Sequence, residues 1–187
     1  MDILLLGPPG AGKGTQGQIL AGRLGIPKFA TGDLIRDAIA RGTPLGREAK
    51  VVYDSGGLVR DDLIMGIVRE ELTKPAAARG VVFDGVVRTI PQAEGVEALL
   101  HELGRRMDKV LFFDVSDAEI LARIEKRRGI EGRSDDEPES VRRRLEAYRT
   151  QTAPVLDWYE ARGGVTRIPA TGTVDEIADR VRKAVAS

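Results

Sequence analysis

The stretch Gly7-Pro8-Pro9-Gly10-Ala11-Gly12-Lys13-Gly14-Thr15 constrains this chain more than any other. It follows a short apolar run, Ile3–Leu6, and precedes a helical pattern, the strand–loop–helix setting of a Walker A phosphate loop. In such a loop the backbone N–H groups turn inward around phosphate oxygens. Glycines allow positive φ and let the backbone approach the anion with no Cβ in the way. The helix that follows adds its partial positive charge, and Lys13 adds a full one. Gly10, Ala11, Gly12, Lys13, Gly14 and Thr15 are therefore candidate residues for a bound triphosphate. The strict pattern has Ser or Thr directly after the lysine, whereas here Gly14 intervenes before Thr15.

Short apolar runs alternate with longer helical patterns along the chain, which predicts βαβ units and a parallel sheet. Val81–Asp84 and Val110–Val115 are nearly continuous apolar runs, as expected of strands covered on both faces. Lys28–Ala30 and Val165–Ile168 are the weaker strand candidates. Leu63, Ile64, Ile67, Val68 and Leu72 form one helical stripe, and Val141, Leu145, Tyr148 and Thr152 another. Thr31–Arg60 and Arg123–Arg144 are rich in charge and glycine and poor in strand formers, so they are predicted to be insertions over the top of the sheet. The 187 residues suffice for one α/β domain with a small inserted segment. With 29 basic and 29 acidic residues the net charge is zero, which argues against a general nucleic-acid binder. The absence of cysteine excludes disulfides and thiolate zinc sites. The N-terminal apolar run is short and lacks a basic flank, and no apolar stretch nears the ~20 residues that span a bilayer. A soluble cytoplasmic protein without a membrane partner is expected.

The Gly-Lys-Gly-Thr form of the loop is that of nucleoside-monophosphate kinases, and further stretches resemble the adenylate kinase family across nearly the whole chain. Thr31-Gly32-Asp33-Leu34-Ile35-Arg36 resembles its monophosphate-site signature. Asp84-Gly85, Arg88-Thr89 and Gln92-Ala93 resemble the segment after its third strand. Arg123, Arg127, Arg133 and Arg144, with Gly132, Asp135 and Asp136, reproduce its arginine spacing. The resemblance implies a P-loop three-layer α/β fold, a five-stranded parallel sheet with helices on both faces. It implies a single kinase domain with a core of 1–30, 61–126 and 137–187, a helical AMP-binding segment at 31–60 and a short lid at 127–136. The short lid implies no structural zinc.

The reaction so implied moves the γ-phosphoryl group of ATP onto AMP and gives two ADP. Phosphoryl transfer needs in-line placement and positive charge around the equatorial oxygens, and an anionic acceptor needs no general base. Guanidinium groups answer the repulsion between two polyanions. By resemblance, Lys13 holds the β- and γ-phosphates while Arg36 and Arg88 grip the AMP phosphate. Arg127 reaches the ATP phosphates, Arg133 and Arg144 bridge the transferring group and AMP, and Arg123 and the backbone of Gly172 meet the adenine of ATP. Thr31, Gly57, Leu58, Val59, Gly85, Val86, Val87 and Gln92 complete the AMP site. Asp84 is expected to order the waters of a Mg2+ that accompanies ATP. Asp33, Asp135 and Asp136 read as caps or structural pairs. Arg128, Arg142, Arg143 and Arg149 read as solvated, His101 as exposed, and Trp158 and Tyr159 as packing residues.

A UMP/CMP kinase shares the fold and the arginines, but usually carries Ala in place of Thr31 and Asn in place of Thr89. A kinase of a small metabolite lacks the Thr31–Arg36 and Asp84–Gln92 signatures, and a non-catalytic nucleotide switch has no need of the full arginine set. A monomer is the family expectation. The chain departs from the family at Val86-Val87, where an aromatic residue and a cis proline are usual; a trans bond is expected here because cis is costly before a non-proline residue.

Overall fold

The computed structural model describes residues 1–54, 59–131 and 138–186, with backbone alone at 53–54 and 127–131. Strands β1 (Asp2–Leu6), β2 (Lys28–Ala30), β3 (Val82–Asp84), β4 (Met107–Asp114) and β5 (Val165–Pro169) form one sheet in the order β2-β3-β1-β4-β5. Every pairing is parallel. Helices α1 (Lys13–Leu24), α2 (Thr31–Arg41), α3 (Pro44–Asp54), α4 (Asp61–Leu72) and α5 (Ile90–Glu102) belong to the first part of the chain. Helices α6 (Asp117–Glu131), α7 (Pro138–Ala147), α8 (Ala153–Glu160) and α9 (Val174–Ala186) follow.

β1 is buried along its whole length. Its alternation divides the core: Ile3 and Leu5 pack with Leu20, Leu111, Phe113 and Val181 against α1 and α9. Leu4 and Leu6 face the opposite layer, with Phe29, Ile67, Val68, Phe83 and Leu100. Helices therefore cover both faces, and the predicted α4 stripe of Leu63, Ile64, Ile67, Val68 and Leu72 is buried at all five positions. Because all strands run parallel, the loops that follow them gather along one edge of the sheet, where ligands of open α/β sheets bind. The phosphate loop leaves β1, Thr31 opens the helix after β2, Asp84 ends β3, and Ala170 follows β5.

Two elements differ from expectation. β1 begins at Asp2, a charged residue only 2 % exposed, because Arg105 donates Nε–H to Asp2 Oδ2 at 2.9 Å. The second predicted stripe is not one α-helix, since Tyr148–Thr152 forms a π-helical turn between α7 and α8. Pro154 lacks the N–H that would continue the α-helical ladder, and the Ala153 N–H bonds back to Tyr148 O. The Val86–Val87 bond is trans as expected, and both side chains are buried in the core beside β3.

Candidate active site

The phosphate loop is built by glycine conformation. Gly7 has φ +141°, and a Cβ there would lie 2.9 Å from Phe113 O on the neighbouring strand. Gly12 is left-handed at φ 91° and precedes α1 with no side-chain cap, so the first-turn amides of α1 are left to a ligand. Lys13 is partly buried, with its ammonium tucked under the loop, donating to Gly7 O at 2.6 Å and Pro8 O at 2.9 Å. Thr15 is exposed on the first turn.

Asp84 lies against that turn, its Oδ2 3.6 Å from the position of a Cβ on Gly14 and 3.5 Å from Lys28 Nζ. Lys13, Arg88 and Arg144 act on one another through space, and Asp84 offsets the first two. Burial, with the two guanidinium groups, lowers the Lys13 ammonium from 10.5 to about 8, against the pull of Asp84. Burial and then Arg144 lower the Arg88 guanidinium below its usual range, although one side of that residue is open to solvent. Cations crowded around a single carboxylate are a site suited to a polyanion.

The lowered Lys13 value has a measurable consequence with two opposite signs. As pH rises through about 8 the free site loses its ammonium, so the KM for ATP is expected to rise toward tenfold per pH unit. Between about 8 and 10.5 the unfolded chain still holds a proton that the folded chain has released, so this group's contribution to stability rises over the same window. Steady-state kinetics and melting curves from pH 7 to 10 check both, and a flat KM profile would contradict the assignment.

On the β2–β3 side, Thr31 Oγ1 donates to Gly85 O at 3.0 Å, and Arg88 Nε–H donates to the same oxygen at 3.0 Å. Arg36 pairs with Asp33 and lies over Gly32. Gln92 is 6 % exposed: its Oε1 accepts the Arg88 N–H at 2.8 Å and its Nε2 donates to Asp61 Oδ1 at 2.7 Å. Val86 and Val87 back this wall, and Val59 packs against the same core. Thr31, Gly85, Arg88 and Gln92 are thus brought together.

On the opposite side, Arg123 is held by Glu119 at 2.7 Å and donates to Ala170 O at 2.6 Å, with its guanidinium 4.0 Å from a Cβ position on Gly12. It therefore bridges the phosphate loop and the loop that carries Gly172. Arg180 donates to Pro169 O and Thr171 O at 2.7 and 2.6 Å, and Thr173 and Glu176 cap α9 reciprocally. Gln16, 2 % exposed, donates to Val174 O at 2.9 Å and ties α1 to the same loop.

Gly57, Leu58, Arg133 and Asp135–Asp136, and the side chain of Arg127, lie outside the described residues. Arg142, Arg143, Arg149 and His101 are exposed as expected, and Tyr159 is buried. Sequence reading passed over Asp61, Lys28 and Gln16. For Asp61 a signal existed, since Asp61-Asp62 opens an amphipathic helix; for the other two the partner lies 56 or 158 positions away.

Among the described residues no three His, Cys, Asp or Glu side chains cluster as a metal cage. Asp84 beside a phosphate loop fits Mg2+ instead, because that ion is held by one or two carboxylates, waters and the substrate's own phosphates. No helix among the described residues is long and apolar enough to cross a membrane.

Residues 5–164 match the family model described as adenylate kinase. An adenylate kinase of Gemmatimonas aurantiaca is 48% identical over 211 residues, covering 99% of both chains. One from Thermus thermophilus is 49% identical over 183 residues, covering 98% of this chain and 96% of its own. One from Stenotrophomonas maltophilia is 44% identical over 185 residues, covering 99% of both.

Proposed function

Because this chain belongs to the adenylate kinase family and is a nucleoside-monophosphate kinase, catalysing ATP + AMP = 2 ADP, we propose that the cleft around Asp84 is where the phosphoryl group passes. The observation that carries this reading is the meeting of Lys13 and Arg88 at Asp84, with Arg144 within electrostatic reach of both cations, between the phosphate loop and the β3 loop. ATP lies along the phosphate loop, with its adenine between Arg123 and the backbone at Gly172. AMP lies against Thr31, Arg36, Val59, the Gly85–Arg88 loop and Gln92, and the family resemblance adds Gly57 and Leu58 to its contacts. The AMP oxygen attacks the γ-phosphorus while the bond to the β-phosphate oxygen breaks, so one ADP leaves from each site. Lys13 neutralises the β- and γ-oxygens, and Arg88 and Arg144 hold donor and acceptor in line. Arg127 and Arg133 add charge from the segment 127–136, and 31–60 covers the AMP side. Mg2+, when bound with ATP, supplies further charge at the phosphates, and Asp84 orients its waters. The family resemblance supports a cytoplasmic monomer acting on free nucleotides.

A coupled assay for ADP from ATP with AMP, UMP or CMP tests the assignment, and no turnover of AMP would overturn it. AMP is expected to be the preferred acceptor. The Thr31 hydroxyl, already donating to Gly85 O, keeps lone pairs for the adenine amino group. Thr31→Ala should therefore raise activity on UMP relative to AMP, on the scale of about 1 kcal/mol that one hydrogen bond contributes. An unchanged acceptor ratio would remove Thr31 from base selection.

A further inference from the structure

Gln92 stands on the wall that would meet the acceptor base, and both ends of its amide are fixed by groups with only one hydrogen-bonding sense. The backbone N–H of Arg88 can only donate, and it takes Oε1 at 2.8 Å. The Asp61 carboxylate accepts from Nε2 at 2.7 Å. Turning the amide over would set two N–H donors against each other at Arg88 and two oxygens against each other at Asp61. The orientation of Gln92 is therefore dictated by its partners.

The local chain explains why Gln92 reaches these groups. Thr89 caps α5 and accepts the Gln92 N–H at 3.3 Å, the spacing of a capping box. The Gln92 side chain reaches one residue past the cap, to the Arg88 N–H, and so projects toward α4, whose first residue is Asp61.

After these two bonds, Gln92 retains one lone pair on Oε1 and one N–H on Nε2. Adenine presents an amino donor at C6 flanked by ring-nitrogen acceptors, which is the pattern a glutamine amide reads bidentately. Hypoxanthine and guanine carry an oxygen at C6, and that oxygen would face Oε1, an acceptor that cannot turn away.

We infer that Asp61 is the positioning residue that makes the acceptor site select 6-amino over 6-oxo purine monophosphates, by locking the amide of Gln92 in one orientation. The inference rests on the reading that Gln92 faces the acceptor base. The same lock joins base and phosphate recognition, because the N–H that holds Oε1 belongs to the arginine expected on the AMP phosphate.

The test compares kcat/KM for AMP and IMP, with KM for ATP and melting temperature, in the parent protein and three variants. Asp61→Asn keeps the shape but can donate as well as accept, so it removes the Asp61 half of the lock and leaves the Arg88 N–H alone to oppose a turned Gln92. The AMP-to-IMP preference should fall about tenfold, the scale of one buried hydrogen bond, with ATP affinity and melting unchanged. Asp62→Asn removes a charge from the same helix turn, where Asp62 is exposed and paired with Arg60, and should leave the preference intact. Gln92→Ala should lose at least as much preference as Asp61→Asn. If Gln92→Ala loses the preference and Asp61→Asn does not, the role of Asp61 is overturned and the base contact stands. An equal fall in Asp62→Asn would also overturn it, assigning the effect to helix charge. If Gln92→Ala keeps the preference, the base contact itself fails, and Asp61 with it.

Discussion

Lys13→Met is expected to lower kcat by on the order of 10³ while leaving a cooperatively folded protein. The ammonium is the one full charge inside the phosphate loop, and a donor aimed at developing charge contributes roughly 10²–10³ in rate, more where it stabilises a transferring phosphoryl group. Methionine keeps the length of the side chain and removes the charge. The displacement of the Lys13 value from 10.5 to about 8 says that the fold disfavours this ammonium. On the order of 3 kcal/mol then separates its charged form here from that in the unfolded chain. Losing the bonds to Gly7 O and Pro8 O offsets part of that relief. The melting temperature of the unliganded variant should therefore equal or exceed the parent's. Near-normal turnover would mean that the loop is not the donor site, and a broad, non-cooperative melt would mean that Lys13 is a structural residue.

Arg88→Gln should lower kcat/KM for AMP by on the order of 10³ and move the KM for ATP far less. The guanidinium donates to Gly85 O and lies within electrostatic reach of Lys13, Arg144 and Asp84. A bidentate phosphate grip cannot be replaced by an amide, and Arg88→Lys, which keeps the charge without the fork, should recover only part of the activity. Arg144 disfavours the charge on Arg88, so Arg88→Gln relieves repulsion in the unliganded protein. Because the group is open to solvent on one side, that relief should raise the melting temperature by only on the order of 2 °C. Equal losses for ATP and AMP would place Arg88 on the transferring group rather than on the acceptor.

The fold was readable wherever local pattern and burial coincide. Ile3–Leu6, Val81–Asp84 and the Leu63–Leu72 stripe lie within or close to the elements they predict, because strands buried on both faces must be apolar throughout and a one-faced helix must repeat at helical spacing. β4 begins at Met107 rather than Val110, since its first residues pair with β1 while Asp108 stays exposed, and exposure hides a strand from hydrophobic reading. The π-turn at Tyr148–Thr152 escaped notice because Pro154 lies beyond it and the apolar spacing continues unbroken across it. The site followed the same division. Thr31, Gly85, Arg88 and Gln92 were legible as motifs, yet their mutual bonds were not.

What the sequence determined by itself is the chemistry carried by consecutive residues. Nine residues set a phosphate loop, since glycine positions and a lysine act over a few bonds and need no distant partner. The arginine pattern set the class of ligand for the same reason, because guanidinium charge does not depend on the fold. Only the tertiary structure decided which carboxylate each cation meets and which way each amide faces. Asp84 meets Lys28 across 56 positions and Asp61 holds Gln92 across 31. Those pairings arise because β2 pairs in parallel with β3 and α4 packs beside α5. Hydrogen-bond direction and through-space charge depend on distances of a few ångström, and only the packed chain fixes those distances.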